Sequence, residues 1–168
     1  HPQTQGRTTH HRIHQERNIM PRPTPQDFIA WTNTLVQFPW PIQLNDFPPY
    51  AEKLGWTSTA RPSCFNVYDG EIGNATLRAD KSGSVCRVSL VTANNETGDA
   101  EGVAELNDLF VSYVTAGRRA WGEAFFLGPG DDPVVAWKFS NESFAEITGG
   151  SDALLFWFTT PQGQWHFT

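Results

Sequence analysis

A chain of 168 residues with 39% hydrophobic and 13% aromatic content can bury a real core without the disulfide or metal staples that chains below roughly 40 residues need, and its length fits one domain. Its net charge of −6 disfavours phosphate backbones and anionic membrane surfaces, and no basic run interleaved with aromatics offers a nucleic-acid groove. No apolar run reaches the roughly 18 residues of a membrane span and no signal-peptide pattern is present, so the expected location is cytoplasmic, with a basic protein as the partner that an acidic surface would steer.

Residues 1–19, HPQTQGRTTHHRIHQERNI, are polar, lack periodicity and hold four of the five histidines. A His-rich tract can bind metal. Gln15-Glu16-Arg17, however, can be encoded by a purine-rich string resembling a bacterial ribosome-binding site, just ahead of the sole methionine, Met20. The expectation is that residues 1–19 are a disordered leader or upstream segment and that residues 20–168 form a single α+β domain.

Thr24 and Pro25 open a first helix, with Asp27 in its first turn and Phe28, Trp31, Leu35 and Phe38 at helical spacing; Pro39 and Pro41 end it. A second short helix is expected after Asn45 or Asp46 as cap, with Pro48 and Pro49 in its first turn and Gly55 at its left-handed end. Residues 56–60 and 63–69 read as short strands. Alternation on both sides of Lys81-Ser82-Gly83 marks a hairpin. Residues 99–117 make the clearest helix, capped by Thr97 or Asp99, striped by Val103, Leu106, Phe110, Tyr113 and Val114, and closed by Gly117, Arg118 and Arg119. A loop containing Gly128-Pro129-Gly130-Asp131-Asp132-Pro133 leads to strands at 134–139, 143–148 and 153–159. No strand alternates with a helix, so the reading is an α+β fold: a largely antiparallel sheet of about six to seven strands, one long helix and two N-terminal helices.

The chemistry-bearing residues do not assemble into a catalytic pattern. His166, beside Trp165 and Phe167, is the lone histidine beyond the first nineteen residues, and a triad would rest on it near a terminus. Asp69 and Glu71, at i and i+2, and the adjacent Asp131 and Asp132 are the candidate carboxylate pairs, and both read more simply as surface charge in turns. Cys64 and Cys86 fit neither a zinc nor a redox spacing and read as small buried residues in strands. Neither Asp69-Gly70-Glu71-Ile72-Gly73 nor Gly128-Pro129-Gly130 has phosphate-loop spacing. No cofactor, metal site or catalytic residue is expected. The seven tryptophans stand mostly in apolar, periodic contexts that favour packing over a carbohydrate platform, whereas Phe125 and Phe126, ahead of the acidic glycine loop, suit exposed anchors of a protein interface.

Three stretches carry a family resemblance: FPWPIQLNDFPPYAEKLGW, then DGEIGNATLRADKSGSVCRVSLV with its Asp80, Gly83 and Val85 turn, and VVAWKF. Over roughly residues 25–160 the chain resembles the small actinobacterial proteins encoded beside secreted toxins, the group of the immunity factor for the tuberculosis necrotizing toxin. The resemblance implies an inhibitor that binds a toxin domain in the producing cell, with an NAD-consuming toxin as the partner in the named case. No inhibitory motif transfers, and the Gly-Pro-Gly-Asp-Asp-Pro loop has no counterpart in it.

The resulting expectation is a non-catalytic, protein-binding immunity protein with Asp69, Glu71, Asp131 and Asp132 as partner-binding residues. Its rivals are a small hydrolase using a carboxylate pair and a secretion-system accessory or chaperone-like adaptor.

Overall fold

The computed structural model describes residues 23–68 and 74–165. The 1–19 segment, Met20, Asp69, Glu71 and His166 lie outside the described residues. Helix α1 (Pro25–Gln37) begins as the sequence implies: the Thr24 hydroxyl accepts from the Asp27 amide at 3.1 Å while the Asp27 carboxylate accepts from the Thr24 amide at 3.0 Å. A 3₁₀ turn at Leu44–Asp46 precedes helix α2 (Pro48–Lys53). The expected side-chain cap from Asn45 or Asp46 is not made, because those residues belong to the 3₁₀ turn and Phe47 occupies the cap position. Gly55 takes the left-handed conformation at φ 79°.

Eight strands follow: β1 (Thr57–Ser58), β2 (Cys64–Asn66), β3 (Asn74–Ala79), β4 (Val85–Asn94), β5 (Phe126–Gly128), β6 (Val134–Lys138), β7 (Phe144–Thr148) and β8 (Ala153–Thr159), with helix α3 (Ala100–Trp121) between β4 and β5. They form one antiparallel sheet in the order β1-β2-β3-β4-β8-β7-β6-β5. The sheet is therefore two four-stranded meanders joined along the β4–β8 seam, where Val88 pairs with Phe158 and Leu90 with Phe156. The architecture is the expected one; the strand count is eight because β5 is a strand where the sequence pattern suggested only loop.

Helix α3 carries the chain from β4, in the middle of the sheet, to β5 at its edge. It lies with α1 on one face. Phe28 of α1 meets Tyr113 and Trp121 of α3, Trp137 of β6 and Phe156 of β8, with ring centroids 5.2–6.3 Å apart. The alternating residues Ala75, Leu77, Val88, Leu90, Phe156, Phe158, Ala145 and Ile147 bury against this layer. Trp40 covers Phe158, and Phe47 covers Phe65, extending the same layer over the first meander. Cys64 and Cys86 lie in strands but are partly exposed, not buried as expected. Cys86 is displaced by a bulge, since Arg78 pairs with Arg87 and Ala79 with Val85, leaving Cys86 without a partner residue on β3.

Helix α3 also runs past the expected stop at Gly117, as far as Trp121, and ends at Gly122 with φ 85°. Gly117 is a packing glycine: a Cβ there would stand 2.5 Å from carbons of the buried Trp137 ring. Helix propensity alone favours alanine over glycine by about 1 kcal/mol. The expected outcome of Gly117→Ala is nevertheless a loss of about 1–2 kcal/mol in urea unfolding, since the indole cannot yield without disturbing the core; a gain in stability would show that the helix can move off the sheet.

Candidate functional site

Strand β5 stands last in the sheet among the described residues. Just before and within it, Phe125 and Leu127 are 56% and 55% exposed, among the most exposed large apolar residues described. The local sequence explains this: the strand is short, pairing with Val134–Ala136 through only three residues, Phe126 to Gly128, and no further strand lies beyond it among the described residues. An exposed aromatic and an exposed aliphatic side chain at a terminal strand make a surface suited to a protein partner.

The β5–β6 loop leaves this edge and carries Asp131 and Asp132, both exposed, as the sequence suggested. Folding adds neighbours that the sequence did not connect. Asn95, after β4, receives its position from the β7–β8 loop: its amide donates to the Asp152 carbonyl at 2.8 Å and its side-chain NH₂ to the Ser151 carbonyl at 3.1 Å. A Cβ at Gly150 would lie 2.8 Å from the Asp132 carboxylate. The loops bearing Glu96, Asp99, Asp131, Asp132 and Asp152 thus share one end of the sheet. Asp131 and Asp132 are both exposed on the one β5–β6 loop.

The sheet face away from the helices has a different character. One cross-strand row runs Arg78, Arg87, Thr159, Phe144, Lys138. Arg87 lies over the Trp157 ring at 4.0 Å. The segment after β8 turns back across this row, and Trp165 stacks on Phe144 at 5.1 Å and donates its indole N–H to the buried Glu146 at 2.7 Å. Phe125 and Phe126 meet the Trp165 ring at 6.0 and 5.4 Å, so the base of the β5 edge is held by an aromatic cluster.

Tyr68, Cys86, Asp80 and Asp99 titrate away from their ordinary values. Burial, reinforced by the charge and hydrogen bond of Asp27, pushes the Tyr68 hydroxyl far up. Burial raises the Cys86 thiol, with Asp80 adding to it. The Ser82 hydroxyl and amides of the β3–β4 turn hold Asp80 low, and the Thr97 hydroxyl and Gly102 amide hold Asp99 low at the start of α3. No cluster of three or more His, Cys, Asp or Glu able to hold a metal ion occurs among the described residues, and no helix among them is long and apolar enough to cross a membrane.

The fold and this edge define a small α+β protein with an eight-stranded antiparallel sheet covered on one face by helices. The chain belongs to DUF6301, a family of unknown function, whose sequence model matches residues 26–160. No curated protein and no solved structure matches it. The match runs over nearly the same span as the resemblance to toxin-immunity proteins, and the family description carries no activity.

Because the folded-state pKa values of Asp80 and Asp99 lie below their unfolded values, the stability they contribute is complete above the unfolded value and is lost as pH falls from about 4 through the folded values. A variant combining Asp80→Asn with Asp99→Asn is expected to show a shallower fall in Tm between about pH 5 and pH 2 than the parent chain. Parallel curves would mean that neither turn holds its carboxylate.

Proposed function

We infer that this chain is a non-catalytic protein-binding domain that engages its partner along the β5 edge and the acidic loop that continues it. The observation that carries the reading is the exposure of Phe125, just before the terminal strand, and of Leu127 within it, on a segment that leads into Asp131 and Asp132. The exposed apolar anchors supply affinity, and the carboxylates steer a basic partner toward them. On the resemblance carried by the Phe/Trp-rich segment, the 69–91 stretch and VVAWKF, the partner is a secreted toxin domain and the chain its immunity protein. An NAD-consuming toxin is the first partner to test.

The test is co-expression with the product of the adjacent gene, which, where it is a toxin domain, is made first in a catalytically disabled form for purification and then in the active form for growth. The reading expects a stable complex and restored growth. Leu127→Lys, which places a charge on the edge, is expected to weaken the complex at least about tenfold without lowering Tm, since Leu127 contributes little to the core. Reversing charge with Asp131→Lys and Asp132→Lys is expected to slow association about tenfold, more at low salt. A complex indifferent to all three substitutions would place the interface elsewhere.

A further inference from the structure

Beside the β5 edge, at the end away from Asp131, lies an open cleft of about 500 Å³ between the end of α3 and the β6–β7 hairpin. Its walls include the rings of Trp121, Phe125 and Phe139, and its charged groups are Glu123, Glu142 and Lys138. We propose that this cleft receives an arginine side chain from a protein partner, the guanidinium lying among the rings and meeting the two carboxylates.

The chemistry of the lining selects the ligand. Trp121 and Phe139 meet edge-to-face at 5.3 Å, and the Trp121 indole N–H is already committed to the Asn33 side chain at 2.9 Å. Trp121 is partly exposed and lines the cleft with Phe125 and Phe139, and aromatic rings attract cations. Two carboxylates face a single ammonium, leaving one negative charge in excess. Lys138 sits 3.0 Å from Glu142 and 5.5 Å from the centroid of Phe125, so the cleft already holds one cation in this manner. Glu123 is exposed and carries no ion pair among the described residues. Arginine fits better than lysine because its planar, weakly hydrated guanidinium stacks on rings and bridges carboxylates, whereas a second ammonium would remain hydrated.

Glu142 supplies an independent observation. It stands at φ 71°, a left-handed conformation unfavourable for a glutamate and easy for glycine or asparagine. Its turn is fixed by hydrogen bonds from its own amide to the Phe139 carbonyl and from the Phe139 amide to the Ser143 carbonyl, while Asn141 anchors it to the Val36 carbonyl of α1.

This proposal rests on the protein-binding reading only in taking the arginine from a protein, and its test needs no partner. The probe is N-acetyl-arginine amide, titrated into the labelled chain and followed by NMR at the Trp121 indole N–H and the Ser140 amide, with N-acetyl-citrulline amide as the neutral isostere. The expected result is a saturable shift at both sites with arginine and not with citrulline. Glu123→Gln and Glu142→Asn, the latter compatible with the left-handed turn, should each weaken it about fivefold, and Lys138→Gln should strengthen it by removing the resident cation. Equal shifts with citrulline, or no shift at these sites up to the solubility of the probe, would overturn the proposal while leaving the β5 edge as a binding surface.

Discussion

The seam between β4 and β8 decides where everything else lies. Seven residue pairs, from Arg87 with Thr159 to Asn94 with Ala153, join the two meanders into one sheet. For β8 to reach that position by successive antiparallel hairpins, the second meander must begin three strands away and work inward. Helix α3 is the span that makes this possible, and its 22 residues, at about 1.5 Å each, reach roughly 33 Å across the sheet. The consequence is that β5 becomes the outermost strand.

A fold assembled in this way shields one face thoroughly and leaves an edge open. Phe28 joins both long helices to β6 and β8, and Gly117 lets α3 approach close enough for Trp137 to fill the space beneath it. On the other face Trp165 and Glu146 tie the chain after β8 to the base of β5. The edge is thus short and exposed but anchored, a combination that suits recognition because little order has to be gained on binding. Glu96, Asp99, Asp131, Asp132 and Asp152 lie in the loops at one end of the sheet, Asp80 and Glu142 in turns at the other, and Arg78, Arg87 and Lys138 in a row across the open face.

Much of the fold was legible because local chemistry and tertiary structure agree. Thr24-Pro25 with Asp27 starts a helix wherever it stands, and the Asp80–Gly83 turn forces a hairpin between alternating strands. Strand β5 was not legible: three residues carry no periodicity, and Leu127 is exposed, so nothing in Phe126-Leu127-Gly128 distinguishes strand from loop. Gly117 misled for the same reason in reverse, since a glycine near basic residues signals a helix end unless a large ring needs its space. At the candidate site, Asp131, Asp132 and the aromatic step before them could be read locally. Their continuity with an open strand edge, and the approach of Glu142, Lys138, Trp121 and Phe125 around one cleft, depend on which strands become neighbours. Asp69 and Glu71 lie outside the described residues.

The central claim is that β5 is where this protein meets its partner. Hydrogen exchange on the purified complex, compared with the free chain, tests it most directly. Protection concentrated on the amides of Phe126–Gly128 and the following acidic loop is the predicted result. Unchanged exchange there, with protection instead on the open sheet face around Arg87 and Trp157 or along β1, would contradict it.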